Sequence, residues 1–175
     1  MDARLHCLQT EAERVKPVDL LAGLREFHHD KLALRQRHVA VARHVASYAF
    51  NNTYQYIIAR EDMHLSWLEA AIAELQGTTD EVPEPTVPSP GKKDSALGLV
   101  QQDAREAEGF VTRWRPRTGE VTNARHRNLL NVILGETLEH KRFFDQMLAG
   151  RDDLLGRRMD GAGTGDGVLG TRWIE

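Results

Sequence analysis

The sequence predicts an all-α protein, a four-helix bundle with a long connection between its second and third helices. From Pro17 to Gly77 only Gly23 interrupts a stretch rich in Ala, Leu, Arg, Glu and His, a composition that suits long helices. The stretch from Gly77 to Lys93 carries four of the six prolines and cannot continue a helix. No alternation of apolar and polar residues indicates a strand.

The helix boundaries follow from capping and breaking residues. The predicted helices span residues 18–49, 53–76, 94–115 and 120–149. Asn51-Asn52 marks the predicted turn of the first pair, and Pro116 with Gly119 marks that of the second. Asp94 is the expected N-cap of the third helix. The chain thus divides into an N-terminal segment (1–17), the bundle (18–150) and a Gly-rich tail (151–175) that we expect to be mobile.

Composition narrows the function classes. A chain of 175 residues can bury a core without disulfides or a structural metal. A net charge of -3 argues against nucleic acid as a partner. The single cysteine, Cys7, excludes an internal disulfide and every Cys-x-x-Cys site. No apolar run approaches the roughly 18 residues of a membrane span, and residues 1–14 are polar, so we expect a cytoplasmic protein with no membrane partner.

Polar residues interrupt the apolar stripe of every predicted helix. A buried carboxylate or imidazole is costly unless it is paired, and a bound divalent metal would neutralise several that converge. Iron, manganese and zinc accept such ligands from facing helices. A buried hydrogen-bonded network is the alternative. Lys31, also on the stripe, is expected to extend its ammonium to solvent. The candidate metal ligands are His38, Glu61, His64, Asp103, Glu106, Glu136 and His140.

Glu61 and Glu136 reach one level of the bundle only if residues 77–93 cross its full length. Glu61 lies 10 residues after the predicted turn at Asn51, and Glu136 lies 18 residues after the predicted turn near Thr118. In a simple up-down-up-down bundle the two would be about 12 Å apart. Seventeen linker residues can reach about 53 Å, whereas a helix of this length spans about 42 Å, so the crossing is feasible.

Two segments carry a family resemblance, IIAREDMH at residues 57–64 and ILGETLEHKRFF at residues 133–144. Over about residues 18–149 the chain resembles the ferritin-like superfamily, and within it the rubrerythrin-like and other small di-metal carboxylate proteins. The resemblance implies one Glu from the first and third helices and a Glu-x-x-His from the second and fourth. Glu61 and His64 match this motif, whereas Thr137 stands where the fourth helix would supply its Glu.

The resemblance also implies a function. It indicates a site for two iron ions, with manganese or zinc as alternatives, that handles Fe(II), O₂ or peroxide as a ferroxidase or peroxidase would. His38 would replace the Glu of the first helix, and Asp103 or Glu106 would serve on the third. Because the chain has no cysteine cluster, a peroxidase would need an external electron donor.

A second hypothesis comes from another class of protein. The site of a ferritin-like scaffold can have lost its metal, leaving a buried hydrogen-bond network in a dimeric interaction module. In either case we expect a homodimer, because helices of about 30 residues in a small bundle carry apolar surface that the bundle core does not bury. The end of the tail, from Val168 to Ile174, resembles the targeting peptides of ferritin-like cargo proteins that load into encapsulin shells, which makes a shell protein a candidate partner.

Overall fold

The structure, a computed structural model, describes residues 20–89 and 96–155. These form four helices and no strand, which confirms the all-α prediction. The helices are α1 (Leu20–Ala42), α2 (Tyr48–Glu74), α3 (Leu97–Gly119) and α4 (Ala124–Leu148). Within the described ranges, none of them combines the length and the apolar composition that crossing a membrane requires. The expectations for residues 1–17, for Asp94 and for the tail beyond Leu155 lie outside the described residues.

The predicted break at Asn51-Asn52 is wrong. Both asparagines lie in the first turns of α2, and the chain turns at residues 43–47. Ser47 caps α2 by accepting the N–H of Phe50, and the Asn51 side-chain amide donates to the carbonyl of Ala42 at 2.9 Å. Asn51 therefore closes the turn from within the helix, because its amide adds a second hydrogen bond to the carbonyl of Ala42, which also accepts the N–H of Val45 at 3.2 Å.

The second hairpin also departs from its predicted limits. α3 continues through Pro116 to Gly119 and does not end at Arg115. Pro116 has no N–H, so α3 lacks the one hydrogen bond that residue 116 would otherwise donate to the carbonyl of Thr112. α4 begins at Ala124, later than predicted, because Asn123 provides the cap: its side-chain oxygen accepts the N–H of His126 at 3.2 Å.

Replacing this cap gives a direct test of how α4 begins. We expect Asn123→Ala to lower the free energy of unfolding by about 1 kcal/mol, since an N–H in the first turn loses its acceptor. Urea denaturation followed by circular dichroism measures the change. Asn128→Ala, at an exposed position inside the same helix, is the matched control. Equal midpoints for the two variants would show that Asn123 does not cap α4.

The core consists of two hydrophobic clusters, one at each end of the bundle. The first contains Leu24 and Phe27 from the start of α1 and residues from the ends of α2 and α3; Phe27 packs edge-on against Phe110 and Trp114 of α3. The second contains residues from the end of α1, the starts of α2 and α3, and the end of α4. α1 contacts α2 and α3, and α4 contacts α3 and α2.

The connection after α2 lies alongside α1. Asp80 pairs with Arg25 in the second turn of α1, at 3.3 Å, and Glu84 pairs with Arg43 just beyond the last turn. Val87 packs against the second cluster. The described part of the linker therefore extends along most of the length of α1.

The polar residues at the centre of the bundle lie between the two hydrophobic clusters.

Candidate functional site

Glu61 stands at the centre of a buried polar cluster between three helices. Its carboxylate accepts a hydrogen bond from Lys31 Nζ at 2.7 Å on one oxygen and lies 2.8 Å from His38 Nδ1 on the other. His140 Nδ1 is 3.9 Å from the first oxygen. Lys31 also donates to the hydroxyl of Thr137 at 3.3 Å. The cluster thus joins α1, α2 and α4 through one ionised pair and its neighbours.

The expectation that Lys31 reaches solvent is wrong. The side chains of Lys31 and Glu61 are both 0% exposed, and the ammonium lies 5.6 Å from the ring centre of Phe110. A buried carboxylate needs a compensating charge, and Lys31 lies close enough to provide it. The signal was present in the sequence, because Lys31 lies two helical turns before His38 on the same apolar stripe.

Charge and burial set the protonation states in this cluster. Burial alone would raise the pKa of Glu61, but His38 and Lys31 outweigh it and hold the pKa well below its usual range. Burial and the Lys31 charge lower the pKa of His140 to about 3. The same two causes lower the pKa of His64 to about 4, although Glu136 partly opposes them. At neutral pH the cluster therefore holds an ionised Glu61 beside neutral His64 and His140.

Glu136 faces away from Glu61. Arg60 of α2 donates two hydrogen bonds to the Glu136 carboxylate, from Nε at 3.0 Å and from Nη2 at 2.7 Å. His64 Nε2 lies 2.8 Å from the same carboxylate. Its side chain is 29% exposed. Burial acts to raise the pKa of Glu136, but the hydrogen bonds from Arg60 and His64 lower it overall. The prediction that Glu136 points inward to meet Glu61 is therefore wrong, because an arginine one residue before Glu61 draws the carboxylate outward.

Asp103 forms a separate buried group between α1, α2 and α3. It accepts hydrogen bonds from the hydroxyl of Tyr54 at 2.5 Å and from Arg37 Nε at 2.7 Å. Burial raises the pKa of Asp103 and raises that of Tyr54 strongly. Glu106 is exposed, and its predicted inward position is wrong because Ala107 lies on the buried side of α3 at that level.

The structure therefore brings some of the predicted residues together and separates others. Glu61, His38 and His140 share one cluster, and His64 with Glu136 forms a second group one turn away, where the rings of His64 and His140 stack with centres 6.1 Å apart. The basic partners and the hydroxyl groups of these clusters are not among the predicted site residues. These residues are Lys31, Arg37, Tyr54, Arg60 and Thr137.

The donor set does not fit a two-metal centre as it stands. Among residues 20–89 and 96–155, the His, Cys, Asp and Glu side chains form no group of three that could hold a metal ion. The Lys31 ammonium takes up one oxygen of the central carboxylate, and Arg60 holds the other candidate glutamate. A divalent ion beside Glu61 would be repelled by the ammonium, because both are cations in a buried space.

The chain matches no protein-family model, and no curated protein matches it significantly. Its class therefore rests on the fold and on the site. Together they define a four-helix bundle in which each buried or half-buried candidate carboxylate bonds to a basic side chain from another helix. The pairs are Lys31–Glu61, Arg37–Asp103 and Arg60–Glu136.

Proposed function

We propose that this protein is a ferritin-like helical scaffold in which Lys31 supplies the positive charge of the central site, and that it acts as an interaction module. The observation that carries the proposal is the fully buried Lys31–Glu61 pair, with 2.7 Å between Nζ and Oε1. Thr137, at 3.3 Å from the same ammonium, stands where the family resemblance implies a second glutamate. Because Thr137 is uncharged, the Lys31 ammonium has only the Glu61 carboxylate to balance at this point, and the buried pair is neutral.

The course of the chain supports the ferritin-like part of the proposal. The ends of α2 and α3 both lie at the first cluster, and their starts both lie at the second, so these two helices run in the same direction. A chain that leaves α2 at one end and enters α3 at the other has to pass along the bundle. Asp80 beside Arg25 and Glu84 beside Arg43 are consistent with that path.

The three ion pairs support the interaction-module part. They link α1 to α2, α1 to α3 and α2 to α4, so each joins a different pair of helices. In a di-metal protein the bound ions would compensate the carboxylates and draw the helices together. Here basic side chains of the chain itself compensate them. A scaffold held in this way can present its surface to a partner without a resident cofactor.

A di-iron protein is the competing function, and one observation favours it. His38 Nε2, His64 Nδ1 and His140 Nδ1 are buried and have no hydrogen-bond partner. Unprotonated imidazole nitrogens are ligands that iron, manganese and zinc accept. To bind there, a metal would have to displace the Lys31 ammonium from Glu61, and the cost of leaving that cation buried and unpaired favours the scaffold.

Metal analysis of the purified protein separates the two functions. After anaerobic dialysis against Fe(II), Mn(II) or Zn(II), we expect the native chain to retain well under one equivalent of bound metal. Inductively coupled plasma mass spectrometry measures the metal content. We expect Lys31→Glu/Thr137→Glu to retain more, because it removes the cation and adds two carboxylates beside His64 and His140. Lys141→Glu, on the surface of α4, is the matched control and should gain none.

The opposite result would favour the di-iron function over the scaffold. If the native chain takes up one or more equivalents, and Glu61→Ala abolishes that uptake while Glu106→Ala does not, then the Lys31–Glu61 pair yields to a metal. Glu106 is a suitable control because it is an exposed carboxylate on a neighbouring helix.

A further inference from the structure

A cavity of about 310 Å³ lies between α1, α3 and the linker. This volume is at the lower end of the range that small-molecule pockets have in proteins. α1 lines the cavity with residues 30, 33, 34 and 37, and α3 lines it with residues 106, 110 and 113. Each set shares one face of its helix, because residues three and four apart are neighbours on a helix surface. Pro85 of the linker forms the third wall, and we call this space the α1–α3 cavity.

Two ion pairs place the linker beside this cavity. Asp80 pairs with Arg25, before the part of α1 that lines the cavity, and Glu84 pairs with Arg43, after it. Pro85 directly follows Glu84, and its ring restricts the backbone there. The third wall is therefore attached to α1 on both sides of the cavity.

The deepest side chains of the cavity are apolar. Leu34 is 6% exposed and Phe110 is 3% exposed, so both belong to the core as well as to the cavity wall. Ala33 lies beside Leu34 with a side chain of one carbon, which leaves room above it. An apolar group of a few carbons would lose its contact with water on entering this space, which favours binding.

Two of the four charged side chains around the cavity satisfy each other. Arg113 donates to Asp30 at 2.7 Å, and the same carboxylate accepts the indole N–H of Trp114 at 2.9 Å. This end of the cavity therefore has no charge left to offer a ligand.

The other two charged side chains, Arg37 and Glu106, have unused polar atoms. Arg37 donates from Nε to Asp103 at 2.7 Å, but neither Nη group bonds to a described residue, and Nη2 is buried. A buried donor without an acceptor is costly. Glu106 is exposed, and within residues 20–89 and 96–155 it forms no hydrogen bond or ion pair. One cavity thus offers a cation and an anion that both lack a partner.

We propose that the α1–α3 cavity binds a free amino acid with an apolar side chain. The carboxylate of the ligand accepts hydrogen bonds from the Nη end of Arg37, and its ammonium donates to Glu106. Its side chain packs against Leu34 and Phe110. This ligand site goes beyond the interaction module, and it does not depend on whether a lysine or a metal fills the central site.

A ligand with a single charge suits the cavity less well. An anion alone would sit near the carboxylates of Asp30 and Glu106 and would leave Glu106 without a cation. A cation alone would leave the Nη groups of Arg37 without an acceptor. A zwitterion fills both groups and leaves the net charge of the cavity unchanged.

Calorimetric titration of the native full chain with leucine tests the proposal. We expect one equivalent to bind with a dissociation constant below about 1 mM. Two analogues of leucine each lack one charge: 4-methylpentanoate has no ammonium, and 3-methylbutylamine has no carboxylate. Each should bind at least about tenfold more weakly than leucine, because one charged group of the cavity stays unpaired.

Three variants locate the binding. Glu106→Gln should weaken leucine at least about tenfold but leave 4-methylpentanoate unchanged, because only the ammonium contacts residue 106. Ala33→Trp should abolish leucine binding by filling the cavity. Glu108→Gln removes an exposed carboxylate of α3 that does not line the cavity, and this matched control should bind leucine like the native chain. Circular dichroism melts show whether each variant is folded.

Three results would overturn the proposal. These are the absence of saturable leucine binding up to about 10 mM, equal binding of leucine and 4-methylpentanoate, and equal leucine binding by Glu106→Gln and Glu108→Gln. If Ala33→Trp does not fold, Glu106→Gln still decides, because residue 106 is exposed. Metal content is measured separately, so failure of this site and failure of the scaffold function are distinguishable.

Discussion

Glu61→Gln should lower the free energy of unfolding by about 3–5 kcal/mol, the cost of removing one partner from a buried ion pair. The Lys31 ammonium would remain 0% exposed with no charge to balance it, and His38 would lose its carboxylate partner. Equilibrium unfolding in urea measures the loss. Glu106→Gln removes the same charge from an exposed position on α3 and should change stability by less than about 0.5 kcal/mol.

The double variant Lys31→Met/Glu61→Gln distinguishes an ion pair from general sensitivity of the core. With both charges removed, no buried ion is left uncompensated, so the double variant should be more stable than either Lys31→Met or Glu61→Gln alone. The coupling between the two positions should exceed about 2 kcal/mol. Strictly additive losses, or a loss below about 1 kcal/mol for Glu61→Gln, would contradict the role given to the pair.

The second large effect is a loss of stability as the pH falls from 7 to 5. His64 has a folded pKa of about 4 and His140 one of about 3, against the ordinary histidine pKa of 6.5. Between these values the unfolded chain binds protons that the folded chain does not, so stability is fully present above pH 6.5 and is lost as the pH drops. At pH 5 each histidine should cost about 2 kcal/mol. The depressed pKa of Glu61 adds its own loss only near pH 4 and below.

Replacing both histidines isolates their share of this effect. In His64→Gln/His140→Gln the difference in unfolding free energy between pH 7 and pH 5 should shrink by most of its value. A remainder is expected from His28, because burial also lowers its pKa and it titrates with the same sign. Unfolding in urea at the two pH values gives the comparison. A native chain equally stable at both values would show that these histidines are protonated in the fold or exposed to water.

The helices were predictable because their signals are local. Apolar spacing, prolines and glycines placed all four helices, and the errors lie at their ends. Asn51 shows why: an asparagine favours both a turn and a cap, and only the position of the Ala42 carbonyl decides that it acts from inside α2. Pro116 likewise reads as a helix end, yet the last turn of α3 accommodates it.

The site was less predictable because its partners come from different helices. Periodicity placed Glu61, His38 and His140 on inward stripes, and the structure brings them together. The periodicity of the sequence could not predict that Arg60 reaches α4 and holds Glu136 outward, because that contact depends on the distance between α2 and α4.

Lys31 was the most informative residue of the sequence, and it was misread. A lysine on an apolar stripe either extends its ammonium to solvent or stays buried. It stays buried when a carboxylate lies at the same level of the neighbouring helix, as Glu61 does here. A basic residue on the same stripe as candidate metal ligands is therefore a reason to consider internal charge compensation before a metal.

The most direct test of the central claim is a crystal structure from crystals soaked in Mn(II) or Fe(II), with anomalous scattering recorded at the edge of the metal. We expect Lys31 Nζ within hydrogen-bond distance of Glu61, as in the 2.7 Å contact described above, and no anomalous peak beside it. An anomalous peak about 2.2 Å from Glu61 and from His64 or His140, with Lys31 turned away, would contradict the account and establish a metal centre.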